Sequence, residues 1–177
     1  MSDTPIDGVV LTDLLSRGDD RGAFTELFRT SWFPSIPKPV QANLSASRAG
    51  VLRGMHYHRR QTDYWCPLRG KAFVALFDLR AGSPTQRASA TLIFDAAEGL
   101  RGLLITAGVA HGFFAITDMQ LLYLVDAEFT GDDESGFAWD DPDLGIDWPT
   151  TTPLVSERDR AGHPLAVAMS DPPSYAG

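Results

Sequence analysis

The sequence predicts an all-β fold, a double-sheet jelly roll with a short C-terminal extension of helical or irregular structure. Short runs rich in β-branched and aromatic residues recur at roughly even spacing along most of the chain. Turn signals containing Gly or Pro separate these runs. No stretch of a dozen residues combines helical periodicity with good caps. Many short, evenly spaced strands are typical of sandwiches and jelly rolls.

Ten strands are predicted from these runs. They cover residues 8–11, 23–29, 41–47, 51–58, 62–68, 71–80, 89–95, 102–106, 111–116 and 119–126. Turns are expected where Gly, Asp, Ser or Pro cluster, at residues 18–22, 69–70, 81–84 and 117–118. Residues 32–39 contain three prolines and are predicted to form a loop.

One domain, residues 1–177, is the simplest organisation for a chain of this length. Residues 126–143 differ from the rest because they are rich in acidic side chains, interrupted by three aromatic residues: Phe129, Phe137 and Trp139. This segment is predicted to be an ordered extension held in place by its aromatic side chains. Pro, Ala, Ser and Gly dominate the tail from about residue 165, which is expected to be poorly ordered.

Composition limits the possible partners of the chain. The net charge of −8 excludes extensive binding to nucleic acid, which needs a basic surface. No run of about 18 apolar residues predicts a membrane span, and the N-terminus lacks the features of a signal peptide. The single cysteine, Cys66, excludes an internal disulfide. These features predict a cytoplasmic protein.

Three of the four histidines fall in two strand-like segments. His56 and His58 are two positions apart on an extended segment, so their side chains point to the same face. Arg53 precedes them and adds a fixed positive charge. His111 follows a Gly-containing turn and opens another apolar run. A site is predicted where the two segments meet face to face.

The histidine spacing is also typical of a metal site. It reads Gly50, five residues, His56, one residue, His58, four residues, Asp63, six residues and Gly70, with Gly108 and His111 further along the chain. This order resembles the metal motifs of cupins, with Asp63 in the place of a Glu. Two or three imidazoles and one carboxylate suit a divalent transition metal with open coordination positions.

Seven segments, in order, resemble one enzyme family. They read DRGAFTELFR at 20–29, QANLS at 41–45, GVLRGMHY at 50–57, DLRAGSPT at 78–85, AHGF at 110–113, WDDPDLGIDWP at 139–149 and SERD at 156–159. The family is dTDP-4-dehydrorhamnose 3,5-epimerase, and the resemblance is collinear over about residues 18–165. It implies a metal-free, homodimeric cupin jelly roll without a cofactor. Such an enzyme inverts carbons next to the 4-keto group of a dTDP-4-keto-6-deoxy sugar.

The resemblance also implies roles for individual residues. His56 matches the general base, Asp159 the carboxylate that orients it, and Tyr123 the tyrosine that returns a proton from the opposite face. An imidazole suits removal of a proton next to a ketone because it titrates near neutrality. The implied substrate-binding residues fall into two groups. Those at the sugar and phosphate end are Arg53 and His111, together with His58 and Asp63. Those around the nucleotide, partly across the dimer interface, are Arg21, Phe24, Glu26, Gln41 and Asn43.

The chain differs from the family at two positions that matter for the reaction. Asp63 stands where the family has a lysine that stabilises the enolate oxygen, and a carboxylate there would repel the developing negative charge. Arg59, Arg60 and a protonated His58 are the candidates to replace that cation. Phe129 stands at a second family tyrosine, which keeps an aromatic wall without its hydroxyl.

The sequence therefore predicts a cytoplasmic, homodimeric isomerase of deoxysugar biosynthesis that inverts C3, C5 or both in a dTDP-4-keto-6-deoxy sugar. This interpretation involves no metal, cofactor, nucleic acid or membrane partner. Two alternatives stay open. One is a metal-dependent cupin oxygenase or isomerase that uses His56, His58, Asp63 and His111. The other is a sugar-nucleotide-binding cupin without turnover.

Overall fold

The computed structural model describes residues 1–176. These residues form thirteen β-strands and two short α-helices. The strands are β1 (Ser2–Asp3), β2 (Val10–Asp13), β3 (Ser16–Asp19), β4 (Gly22–Thr25), β5 (Gln41–Ser47), β6 (Leu52–His58), β7 (Asp63–Arg69), β8 (Lys71–Asp78), β9 (Ser89–Asp95), β10 (Arg101–Ile105), β11 (Val109–Ala115), β12 (Met119–Val125) and β13 (Glu134–Gly136). The helices are α1 (Glu157–Arg160) and α2 (Leu165–Ser170), with short 3-10 segments at Thr30–Trp32 and Pro142–Leu144.

Eleven of the strands form two antiparallel sheets. The six-stranded sheet has the order β1-β2-β10-β7-β12-β5, and the five-stranded sheet has the order β13-β6-β11-β8-β9. Strands β3 and β4 form a separate hairpin. From β5 to β8, and again from β9 to β12, consecutive strands alternate between the two sheets. The double-sheet jelly roll predicted from the sequence is therefore confirmed.

Apolar side chains between the two sheets form the main core. Val74 and Leu76 of β8 belong to this core, together with Leu103 and Ile105 of β10 in the other sheet. Because side chains alternate along a strand, Phe77 points to the opposite face of the sheet, where a second core covers it. Burial of one such side chain contributes about 1.5–3 kcal/mol. Strand β8 is thus covered on both faces, which explains its uninterrupted apolar sequence.

The acidic segment packs on the outer face of the five-stranded sheet through its aromatic residues. The ring of Phe137 lies 6.3 Å from that of Tyr57 and 6.5 Å from that of Phe77, between ring centroids. Trp148 donates from Nε1 to the carbonyl of Trp139 at 2.8 Å. The ordered, aromatic extension predicted from the sequence is present, and it holds the chain that leads to α1.

All ten predicted strands are present, and β5 and β9 have the predicted bounds. The strand predicted at 23–29 ends at Thr25, since the chain then leaves the hairpin and the carbonyl of Leu27 accepts a hydrogen bond from Tyr64 Oη. Strands β1, β3 and β13 were not predicted. Strand β3 is exposed at every position and shows no apolar alternation, so its sequence is typical of a turn.

The tail, expected from the sequence to be poorly ordered from about residue 165, has described structure through residue 176 and includes α2. Leu165 and Ala168 are buried against the outer core. Further along, Tyr175 donates from its hydroxyl to Asp7 at 2.6 Å. Two apolar residues on one face of a six-residue helix are too few to produce a clear periodic pattern.

Cys66 is a free cysteine on the outer face of β7, as expected for a chain with one thiol. Burial raises the pKa of its thiol to about 11. The thiol is therefore neutral and packs as a small apolar group. Within residues 1–176, no helix is long and apolar enough to cross a lipid bilayer.

Candidate active site

A cavity of about 450 Å³ lies between the two sheets. Met55 and Tyr57 of β6 face the outer core, so the alternate residues His56 and His58 face the cavity. The predicted site residues that line it are Gln41, Asn43, Arg53, His56, His58, Asp63, His111, Tyr123 and Asp159. The two histidine segments do not meet face to face, as expected from the sequence, but lie side by side, because β6 and β11 are neighbours in the five-stranded sheet.

Two glycines let β6 and β11 approach each other beside the histidines. His111 pairs with His56 across the strands, and the register shifts immediately after His111. Gly54 has a φ of 138°, and a Cβ there would lie 2.7 Å from the Cα of Gly112. A side chain at Gly54 would therefore force the strands apart. The close approach keeps the two imidazoles on neighbouring strands of one cavity wall.

His56 forms a hydrogen bond with Asp159, a residue 103 positions away in the sequence. Nε2 of His56 lies 2.7 Å from Oδ1 of Asp159. Because an ionised carboxylate only accepts, Nε2 donates and the lone pair of the neutral ring lies on Nδ1. Glu134 Oε1 lies 3.8 Å from Nδ1, beyond hydrogen-bonding distance. His56 therefore has one nitrogen held by a carboxylate and one free to take a proton.

Asp159 is held in place by the start of α1. Ser156 caps this helix, and its hydroxyl accepts a hydrogen bond from the Asp159 amide at 3.0 Å. Burial by itself raises the pKa of Asp159, but its hydrogen bond and electrostatic interaction with His56 and its hydrogen bond with Ser156 outweigh this effect. The pKa of this carboxyl is therefore below its usual value, and the group is ionised at neutral pH.

Tyr123 lines the cavity from the other sheet. It lies on β12 of the six-stranded sheet, whereas His56 lies on β6 of the five-stranded sheet. Burial raises the pKa of the Tyr123 hydroxyl, and the negative charges of Asp63 and Glu134 raise it further. The phenol is therefore protonated at neutral pH, facing the cavity opposite the imidazole.

Asp63 lies at the buried floor of the cavity at the start of β7, with 4 % of its surface exposed. Its Oδ1 accepts from Gln61 Nε2 at 2.8 Å, and its Oδ2 accepts from Trp65 Nε1 at 3.1 Å. Nε2 of His111 lies 3.9 Å from Oδ2, which is too far for a hydrogen bond. The carboxylate is oriented by two neutral donors and has no direct cationic partner among residues 1–176.

His111 and His58 complete this buried group. Nδ1 of His111 lies 3.0 Å from the Val109 carbonyl, so Nδ1 donates and Nε2 carries the lone pair. Burial lowers the pKa of His111 to about 4, against the opposing effect of Asp63. Nδ1 of His58 is buried and has no hydrogen-bond partner in the described chain. The rings of His58 and His111 lie 5.6 Å apart between centroids.

Polar side chains from β5 and β6 also line the cavity. Gln41 donates from Nε2 to Asn43 Oδ1 at 2.9 Å, and its own Oε1 accepts from the Phe129 amide at 3.0 Å. Arg53 donates from Nε to the hydroxyl of Ser47 at 3.1 Å. Gln41, Asn43 and Arg53 therefore give this part of the cavity wall hydrogen-bonding groups for a polar ligand.

Three predicted substrate-binding residues lie outside this cavity. Arg21, Phe24 and Glu26 belong to the β3–β4 hairpin and the chain after it. Phe24 is 72 % exposed, and the two charged residues form ion pairs with residues of the same hairpin region. A single chain does not bring these three residues to the histidines.

Of the three side chains expected to replace the missing lysine, only His58 lines the cavity. Arg59 pairs with Asp171 and Arg60 with Asp133, and neither lines the cavity. Arg53 lines it, and so does Arg158, which pairs with Glu134 of β13. His58 is the remaining candidate from the sequence, and it does line the cavity.

Several cavity residues were missed from the sequence. They are Ser45, Gln61, Trp65, Phe113, Leu121, Val125, Glu134, Ser156 and Arg158. Glu134 belongs to the acidic segment, whose charges are more typical of a solvated surface. It reaches the site because β13 pairs with β6. Gln61 and Trp65 each lie two positions from Asp63, and side chains two positions apart on a strand share a face. This spacing could have predicted both residues.

These observations define a cupin-type jelly roll whose cavity carries a histidine–carboxylate pair facing a tyrosine. The chain belongs to the dTDP-4-dehydrorhamnose 3,5-epimerase family, whose model matches residues 3–166. The dTDP-4-dehydrorhamnose 3,5-epimerase of Pseudomonas aeruginosa is 39% identical over 173 residues, covering 92% of this chain and 94% of the relative. The dTDP-4-dehydrorhamnose 3-epimerase of Streptomyces niveus is 38% identical over 182 residues, covering 97% and 87%.

Solved structures agree with this assignment. A 3'-monoepimerase from Streptomyces bikiniensis in complex with dTDP-quinovose superposes with a TM-score of 0.90 at 32% identity, covering 99% of this chain and 93% of that chain. A dTDP-6-deoxy-D-glucose-3,5-epimerase from Legionella pneumophila, in complex with dTDP-4-keto-L-rhamnose, gives 0.90 at 31% identity, covering 99% and 97%. The fold of this chain is therefore shared with both single and double epimerases over nearly its whole length.

Proposed function

We propose that this protein is an isomerase that inverts C3, C5 or both in a dTDP-4-keto-6-deoxy sugar during deoxysugar biosynthesis. The observation that carries the proposal is the His56–Asp159 hydrogen bond of 2.7 Å in a cavity that Tyr123 enters from the opposite sheet. Relatives with this fold are named as epimerases of such sugars, and two of the solved ones hold dTDP-sugars.

His56 acts as the general base. The ketone acidifies the neighbouring C–H bond, and Nδ1 of the imidazole takes the proton while the electron pair of that bond forms the enolate. Asp159 keeps the ring oriented and stabilises the imidazolium that results. General-base catalysis of this kind contributes about 10²–10⁴-fold to a rate.

Tyr123 acts as the acid on the other face of the sugar. Inversion requires that the proton return from the side opposite to the one it left. The two groups lie on different sheets, which supports attack from two faces of a sugar held between them. Its raised pKa keeps the phenol protonated until the enolate forms.

The nucleotide is bound at the β5 end of the cavity and by a second copy of the chain. Gln41 and Asn43 line this end, whereas Arg21, Phe24 and Glu26 are exposed on the hairpin. In a homodimer the hairpin of one chain completes the cavity of its partner. Light scattering at micromolar concentration should give twice the mass of one chain, and a monomer would contradict this part of the proposal.

The reaction takes place in the cytoplasm, and the free, buried thiol of Cys66 is compatible with a reducing compartment.

The catalytic proposal is tested in D₂O with a dTDP-4-keto-6-deoxyhexose. We expect NMR to show deuterium at carbons next to the ketone and the appearance of an epimer. Tight binding of the sugar nucleotide without exchange would instead indicate a non-catalytic binding protein.

A further inference from the structure

The buried floor of the cavity contains an unusual group of donors. His58 of β6, Asp63 of β7 and His111 of β11 each offer one ligand atom, and these atoms all lie within 4.8 Å of one another. All three residues are buried, with 8 %, 4 % and 5 % of their surface exposed. Three strands of two sheets thus direct two imidazoles and a carboxylate to one point beside the substrate cavity.

Hydrogen bonds within residues 1–176 do not satisfy this group. Nδ1 of His58 has no partner, and Nε2 of His111 lies 3.9 Å from Oδ2 of Asp63. A buried polar atom without a partner has lost its hydrogen bonds to solvent, so native structures seldom leave one without a ligand, ion or water. The arrangement therefore indicates a bound species that the protein atoms do not supply.

A second buried carboxylate shows what a purely structural pair looks like in this protein. Asp78 accepts from Arg80 Nε and Nη2, both at 2.8 Å, and from the hydroxyls of Ser83 and Thr85 at 2.6 and 2.7 Å. Each of its oxygens has a charged donor. Asp63 has only two neutral donors, although it is almost as deeply buried.

We propose that His58, Asp63 and His111 bind one divalent transition-metal ion. Two imidazoles and one carboxylate are a common donor set for Zn²⁺, Fe²⁺ and related ions, and they leave coordination positions open toward the cavity. His111 already has the required tautomer, because its Nδ1 donates to the Val109 carbonyl and its Nε2 lone pair points to the cluster. Hydrogen bonds from Gln61 and Trp65 likewise orient the Asp63 carboxylate. His56 is not in the set, since its Nε2 is bonded to Asp159.

The site would solve an electrostatic problem of the proposed reaction, on which this part of the inference rests. A bare Asp63 carboxylate repels an enolate, whereas a divalent ion held by one carboxylate leaves a net positive charge. When His56 takes the proton, the C–H electron pair becomes the C=C bond and the carbonyl π pair moves onto O4. An ion held by His58, Asp63 and His111 would stabilise that oxygen as a Lewis acid without a change of oxidation state. Tyr123 then returns a proton to carbon and the π pair returns to the carbonyl.

Metal content tests the site directly. Protein without a histidine tag, purified without chelator, should contain about one transition-metal ion per chain by elemental analysis. After removal of that ion, Co²⁺ should restore about one equivalent with d–d absorption bands. Asp63→Asn should weaken Co²⁺ binding at least about tenfold. His163→Gln is the matched control because it removes an exposed histidine distant in sequence from the set, and it should bind Co²⁺ like the wild type.

The outcomes separate the site from the proposed function. Folded wild type that neither carries metal nor gives the Co²⁺ spectrum overturns the site, even if Asp63→Asn fails to fold. Exchange in D₂O at the same rate in metal-free and reloaded protein overturns its role in enolate stabilisation. Stoichiometric metal in a protein that never exchanges the sugar protons supports the site and contradicts the epimerase proposal. We expect exchange to fall at least about tenfold on metal removal and to return with the ion.

Discussion

Two histidine–carboxylate pairs line the same cavity, and they differ in how the carboxylate is used. In the first pair, Asp159 accepts a hydrogen bond from His56 at 2.7 Å, and the ring retains one free nitrogen. In the second, Asp63 and His111 are 3.9 Å apart, and the carboxylate bonds to neutral donors instead. The residue types are the same, so the neighbours of each carboxylate decide its chemistry.

The difference follows from where the carboxylates lie in the chain. Asp159 is on a capped helix after the jelly roll, and the helix delivers it to one edge of β6. Asp63 is on a core strand between Gln61 and Trp65, which fix both of its oxygens. We propose that the first pair moves a proton and that the second holds a positive species.

The largest effect is expected at the base. His56→Asn removes the nitrogen that takes the proton, so turnover of a dTDP-4-keto-6-deoxy sugar should fall at least about a hundredfold. Steady-state assays of wild type, His56→Asn and the control His163→Asn measure this. Near-normal turnover in folded His56→Asn protein would show that His56 is not the general base.

A smaller loss is expected for the carboxylate of the same pair. Asp159→Asn keeps the shape of the side chain but removes the charge that stabilises the imidazolium, so kcat should fall about tenfold to a hundredfold. KM should change little, because this side chain bonds to His56 rather than to substrate. A loss confined to KM would indicate that Asp159 binds the sugar.

A third carboxylate provides a structural reference for the comparison. Burial alone would raise the pKa of Asp78, but hydrogen bonds from Arg80, Ser83 and Thr85 lower it overall. A carboxyl with a depressed folded pKa contributes stability above its unfolded pKa, which is about 3.9, and this is lost as pH falls through the folded value.

We therefore expect Asp78→Asn to lower the free energy of unfolding by about 3 kcal/mol at pH 7, as for other broken buried pairs. The difference from wild type should stay constant down to about pH 5 and shrink below about pH 4. Urea titrations at several pH values measure it. A difference that does not change down to pH 3 would show that the charge of Asp78 contributes nothing.

Much of the fold was predictable because the jelly roll depends on local patterns. Alternating apolar side chains and Gly turns mark strands such as β5 and β9, whose bounds agree with the prediction. Strand β3 was missed because its residues are exposed on both faces, and α2 because it buries only two side chains. Both elements owe their structure to tertiary context rather than to periodicity.

The site was predictable only in part. The two-residue period of a strand places His56 and His58 on one face, and no further information is needed. The contact between His56 and Asp159 spans 103 residues, so spacing could not indicate it and only the family resemblance did. Glu134 was missed because an acidic run is typical of a solvated surface, and its position depends on the pairing of β13 with β6.

The most direct test of the central claim compares exchange with inversion in D₂O, by NMR of the sugar, for His56→Asn and Tyr123→Phe side by side. If the imidazole removes the proton and the phenol returns one from the other face, His56→Asn loses both exchange and inversion. Tyr123→Phe should keep substantial exchange at the carbon facing His56 while inversion falls at least about tenfold. Exchange that survives in His56→Asn, or inversion that proceeds normally in Tyr123→Phe, would contradict the two-face mechanism.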